Sequence, residues 1–174
     1  YFLKDEAVVS LNDERLAVIR GTQIGFVFQT YNLLPRMTAQ ANVELPLAYG
    51  NLRNRKRRSL EALERVGLED RAGHKPTELS GGQQQRVGIA RALAKHPSIL
   101  LADEPTGNLD STSSEEIMAI LRSLNEDDGL TVVIVTHERD IASQTRRVIS
   151  MLDGKVVSDI PNTQSNLAPA NEPN

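Results

Sequence analysis

A chain of 174 residues is long enough for one domain with a sizeable core and too short for two ordinary ones. Its 39 % hydrophobic and 25 % charged residues are those of a globular domain, and no apolar run approaches the roughly 18 residues that span a bilayer. The absence of cysteine excludes disulfides and thiolate metal sites, and a net charge of -3 gives no electrostatic case for binding nucleic acid.

The chain opens on Tyr1-Phe2-Leu3, apolar and without a preceding cap, and is expected to be a truncated start rather than a processed one. A short helix is predicted around Asn12 to Arg20, then a strand over Gln23 to Phe28. From about Ala39 to Lys75 the pattern is polar-rich and helical, with Leu60, Leu63, Val66 and Leu68 at near-helical spacing. A helix follows over about Gln83 to Lys95, then a buried strand over Ser98 to Ala102. Next come a helix over Thr112 to Asn125, a strand over Leu130 to Thr136 and a helix over Glu138 to Gln144. The last strand, Arg147 to Leu152, ends at Asp153-Gly154, a hairpin signal leading into Lys155-Val156-Val157. From about Asp159 to Asn174 the composition predicts a disordered tail.

Short apolar strands alternating with helices predict an α/β fold: a parallel sheet with helices on both faces, and ligands at the carboxyl ends of its strands. Two polar clusters fall at such ends, Asp103-Glu104 and Thr136-His137. Adjacent carboxylates leaving a strand suit phosphoryl transfer, one holding Mg²⁺ and the other orienting or deprotonating water. The ordinary reading is a strand entering a loop. Leu79-Ser80-Gly81-Gly82-Gln83-Gln84-Gln85-Arg86 precedes a helix. Its glycines allow close backbone approach to an anion at the helix N-terminus. Equally, Ser80 and Gln83 form the pattern of a simple capping box.

Taken together, these segments resemble the ABC ATPase family. Leu79 to Gln83 matches its signature motif, LSGGQ, without a mismatch, and Ile99 to Glu104 resembles its Walker B strand. Gln29 resembles the Q-loop glutamine, Gly107-Asn108-Leu109-Asp110 the D-loop, and Val135-Thr136-His137-Glu138 the switch segment. The five elements stand in family order. In isolation each has a plain alternative: Gln29 as a strand-end amide, His137 as a capping residue, Asp110 as a charge favouring the next helix N-terminus. Finer likenesses in Gln29 to Pro35, Asn42 to Leu47 and Asp103 to Asp110 are similar to the lipoprotein-releasing and macrolide-exporter group.

The resemblance implies a P-loop NTPase-like sheet with a helical subdomain over about 38–95, within a partial ATPase domain over 1–158 and before the tail at 159–174. It implies ATP and Mg²⁺ as cofactors, with Asp103 and Gln29 near the metal, Glu104 as general base and His137 at the γ-phosphate. Ser80, Gly81, Gly82, Gln83 and Asp110 would bind nucleotide across a head-to-tail homodimer. A transmembrane permease would hold the subunit at the cytoplasmic face of the inner membrane, with no nucleic-acid partner. The family's G-x-x-x-x-G-K-[ST] loop has no counterpart string here, so its first strand, phosphate loop and helix are expected to be missing and the chain alone inactive. Two other functions stay open at this stage: a soluble ABC ATPase of DNA repair or translation, and a non-catalytic regulatory fragment. The short stretch between Gln29 and Leu79 leaves no room for a long coiled coil. The basic run Arg53, Arg55, Lys56, Arg57, Arg58 suits phosphates or anionic headgroups, or simply a solvated helix face.

Overall fold

The computed structural model describes residues 2–3, 6–50 and 52–162. Two compact units divide the chain, residues 1–135 and residues 136–174.

The first unit opens with two-residue antiparallel strands, β1 (Phe2–Leu3) and β2 (Glu6–Ala7). Helix α1 (Asp13–Thr22) starts at Asn12, whose side chain accepts the Arg15 N–H, and carries Asp13 and Glu14 at its positive end and Arg20 at its negative end. Its C-terminus feeds β3 (Ile24–Val27), which pairs in parallel with β4 (Ile99–Asp103), and β4 pairs in parallel with β5 (Thr131–Val135). The central strand β4 carries four consecutive apolar residues, Ile99 to Ala102, and β5 four more, Val132 to Val135.

Register separates the two faces of this sheet. Gly25, Val27, Leu100 and Ala102 lie on one face and are buried. Helix α4 (Gly81–Leu93) packs on β3 and against α5 (Ser111–Glu126), which in turn packs on β5. Phe26, Leu101 and Val133 are register neighbours on the opposite face, where Phe26 and Val133 stay 41 % and 44 % exposed. Phe26 and Phe28 stack on that open side with ring centroids 6.1 Å apart.

Between β3 and α4 lie α2 (Ala39–Tyr49) and α3 (Arg55–Glu64), which form a helical layer with α4. Of the positions read at near-helical spacing, Leu63, Val66 and Leu68 are buried and Leu60 is half-buried, although α3 itself ends at Glu64; Val43, Leu47 and Val87 are buried as well. Asn42 is also buried, and its side chain organises the preceding turn. Oδ1 accepts the Leu34 N–H at 2.7 Å, and Nδ2 donates to the carbonyls of Leu34, Met37 and Thr38 at 3.0–3.2 Å. Arg58 leaves the basic run to donate to the Ala94 carbonyl, tying α3 to the end of α4.

The second unit holds α6 (Arg139–Ser143) and an antiparallel hairpin of β6 (Arg147–Leu152) and β7 (Lys155–Pro161). Both turn residues, Asp153 and Gly154, have positive φ (49° and 74°), the geometry that follows the twist of a two-residue hairpin. The hairpin expected at Asp153-Gly154 is borne out, and among the described residues β6 pairs only with β7, in its own two-stranded sheet. One expectation is corrected: Asp159 to Pro161, read as part of the tail, belong to β7. Arg147 Nε donates to Asp159 Oδ1 at 2.7 Å, and the pair raises the Arg147 pKa and lowers that of Asp159. The rest of that tail, 163–174, lies outside the described residues.

Candidate functional site: three loops around a helix N-terminus

Helix α4 begins at a capping box. The Ser80 hydroxyl accepts the Gln83 N–H at 3.3 Å and the Gln83 amide oxygen accepts the Ser80 N–H at 3.0 Å. The local pattern starts the helix at Gly81, two residues before the expected Gln83. Both glycines are needed for space. A Cβ on Gly81 would stand 3.0 Å from the Tyr31 hydroxyl, and one on Gly82 would stand 2.9 Å from Ser113 Oγ and 3.0 Å from Ser113 Cβ. The first turn of α4 is thus pressed between the loop after β3 and the start of α5.

The loop after β3 carries Gln29, half-buried, followed by Tyr31 and Asn32 at φ 47° and 48°. Two consecutive non-glycine residues in the left-handed region need external support. Arg91 supplies it: Nη2 donates to the Tyr31 carbonyl at 2.8 Å and Nη1 to the Asn32 carbonyl. Burial lowers the Arg91 pKa and raises that of Tyr31.

Strand β4 ends at Asp103, exposed on the open face, and the chain then turns through Glu104 at φ 46°. The Glu104 N–H donates to the Val135 carbonyl at 2.9 Å, and its own carbonyl accepts the Gly107 N–H at 3.1 Å, which closes a tight turn. Gly107 sits against Gln29, since a Cβ there would lie 2.7 Å from Gln29 Nε2. Asn108 Nδ2 donates to the Gln29 carbonyl at 3.0 Å across 79 residues of sequence. Asp110 caps α5 by accepting the Ser113 N–H at 2.9 Å and the Ser113 hydroxyl at 2.8 Å, and these bonds hold its pKa below the usual carboxylate value.

The structure therefore brings together Gln29, the Ser80–Gln83 turn and the loop from Asp103 to Asp110. His137 lies in the second unit, exposed, in a turn where the Glu138 N–H donates to Thr136 Oγ1 at 3.0 Å. Among the described residues no cluster of three or more acidic or histidine side chains is built to hold a metal. The Asp103 carboxylate and Gln29 amide nonetheless offer the hard oxygen donors that Mg²⁺ takes when water and phosphate complete its shell.

Arg91 and Ser113 went unread in the sequence, while Asn108 and Gln85 were read only as members of their motifs, with no role of their own. Gln85 left a further signal. It falls on the buried phase of α4 with Gly82, Ile89 and Leu93, where an amide is out of place.

Fold and loops together define an ATP-binding cassette. The model of the ABC transporter family matches residues 5–107. The chain is 52 % identical, over 88 % of its length, to an ABC transporter ATP-binding protein of Thermotoga maritima, of which it spans 66 %. It is 48 % identical, over 99 % of its length, to the macrolide export ATP-binding/permease protein MacB of Shigella flexneri, of which it spans 27 %. Among solved structures it is similar to the dimeric, post-hydrolysis ATP-binding cassette MJ0796 bound to ADP and Pi. The TM-score is 0.78 at 48 % identity, covering 92 % of this chain and 72 % of that one. The chain belongs to the ABC transporter family.

Proposed function

We propose that the protein is the ATP-binding and ATP-hydrolysing subunit of an ABC transporter, driving transport by a membrane partner through MgATP turnover in a head-to-tail homodimer. One observation carries this reading: Gln29, the Ser80–Gly82 turn and the Asp103–Asp110 loop are far apart in sequence, yet side chains and tight glycine contacts lock them together. A merely structural helix start needs no such convergence.

Within each subunit Glu104 accepts a proton from the water that attacks the γ-phosphorus, as the bond to the leaving ADP oxygen breaks. Asp103 and Gln29 would hold Mg²⁺, which when bound neutralises phosphate charge. His137 is the residue assigned to the γ-phosphate. Ser80, Gly81, Gly82 and Gln83 present the N-terminus of α4, with its partial positive charge, to nucleotide on the other subunit. Asp110 orients the start of α5 at that junction. No helix among the described residues is long and apolar enough to cross a membrane. The proposal places the subunit at the cytoplasmic face of the inner membrane, held there by the permease.

The test is steady-state MgATP hydrolysis by the natural-length gene product, with its oligomeric state followed as nucleotide is added. Hydrolysis accompanied by nucleotide-dependent dimerisation is expected. A folded natural-length protein that neither turns over MgATP nor pairs would refute the reading.

A further inference from the structure

Gln85 is a fully buried amide on a helix whose other inward residues include Val87, Ile89, Ala90 and Leu93. Its Nε2 donates to the Phe28 carbonyl at 3.2 Å and to the Pro105 carbonyl at 2.7 Å. Phe28 directly precedes Gln29, and Pro105 directly follows Glu104. A single –NH₂ group therefore spans the exits of two neighbouring parallel strands, β3 and β4. The orientation of the amide is unambiguous, because a flipped side chain would aim its oxygen at two carbonyl oxygens.

The other end of the amide stands in contrast. Oε1 is buried and has no hydrogen-bond partner. An acceptor stripped of water and left unpaired is destabilising, and a leucine at this position would avoid that loss. The group is thus kept for what its donors do. Those donors hold backbone on both sides of the proposed reaction centre, from the helix whose first turn carries Ser80 to Gln83. Arg91, on the same helix, grips the Tyr31 and Asn32 carbonyls further along the same loop.

We propose that Gln85 is a positioning residue for the hydrolysis: through its two donated bonds it sets Gln29 and Glu104 at one fixed height relative to each other and to α4. The inference rests on the proposed function. It adds that a shift of α4, the helix offered to the partner's nucleotide, moves both loops of its own subunit together.

The experiment compares Gln85→Leu and Gln85→Glu with the parent in the natural-length protein, measuring kcat, KM, melting and amide exchange. Leucine fills the site without donors, so kcat should fall by about tenfold or more while KM stays within about threefold. Amide exchange at Glu104 and Gly107 should quicken together with that of residues 29–32. Glutamate provides the second arm. Ionised, it opposes two carbonyls, whereas protonated it donates to one of them, so its activity relative to the parent should rise as pH falls from 8 to 6. A merely structural role would lower melting and leave that pH ratio flat. If the parent turns over and Gln85→Leu keeps kcat within twofold, the inference is wrong and the proposed function stands. If the folded parent does not hydrolyse MgATP, the proposed function fails and the catalytic part of the inference goes with it. Unchanged exchange at 29–32 and 104–107 would separately overturn the tie itself.

Discussion

Substituting Gly82→Ala tests the close seam between α4 and α5. The new methyl carbon would sit 3.0 Å from Ser113 Cβ and 2.9 Å from Ser113 Oγ. Carbon–carbon contacts relax at about 3.5–4.0 Å, so the helices must part by roughly half an ångström or more. The hydroxyl cannot swing clear without loss, because Asp110 holds it at 2.8 Å. Overpacking of this kind costs about 1–3 kcal/mol. Against it stands the helix preference of alanine over glycine, up to about 1 kcal/mol in a helix interior and less in a first turn. The net expectation is a loss of about 1–2 kcal/mol, read as a lower urea midpoint at unchanged slope. Adding Ser113→Ala removes the hydroxyl contact but not the one to Cβ, so the double variant should recover only part of the loss attributable to crowding. A Gly82→Ala protein as stable as the parent would refute the steric account of this glycine and leave close approach to ligand as its remaining reason.

Replacing Glu104 by glutamine keeps shape but removes the proton acceptor. MgATP binding should persist while turnover drops by about 10²–10⁴-fold, checked by single-turnover hydrolysis alongside equilibrium nucleotide binding; a near-normal rate would end its assignment as base. Asn42→Leu should destabilise by about 2–4 kcal/mol in equilibrium denaturation, since it strands the Leu34 N–H and the Met37 carbonyl, while the Leu34 and Thr38 carbonyls each keep a backbone donor. Asp110 contributes a pH dependence of definite sign. Its folded-state pKa is lowered, so its stabilisation is present above the unfolded value near 3.9 and is lost as pH falls through the folded value. Asp110→Asn should therefore flatten the acid side of the stability curve in that window, and an unchanged acid limb would argue against the cap. Arg91→Lys leaves one point charge where two carbonyls were held, so exchange at Tyr31 and Asn32 should quicken before any change in global melting.

What the sequence determined by itself was whatever short-range pattern encodes. Ser80 with Gln83, and Asp110 before Ser111, mark helix starts because caps act within one turn. The apolar run Ile99 to Ala102 ending in two carboxylates marks a central strand and its exit. The motif order from Gln29 to His137 carried the family. Most strand and helix limits fell within about two residues for the same reason, whereas β7 runs four residues past Val157 and the helical stretch read over Ala39 to Lys75 divides into α2 and α3.

Only tertiary structure decided the rest. Asn108 meets Gln29 across 79 residues and Gln85 meets Phe28 across 57, and no local periodicity encodes such pairs. Alternation in β3 and β5 does not say which face α4 and α5 will cover, nor that Phe26 and Val133 stay exposed. Apolar alternation reports that a strand has a face to bury, but not its neighbour, which is why it was the turn signal at Asp153-Gly154, and not alternation, that placed β6 beside β7. Pairing partners are chosen by contacts that exist only once the chain has folded. The sequence names the residues that can do chemistry, and the packing of α4 on two strand exits decides which of them meet.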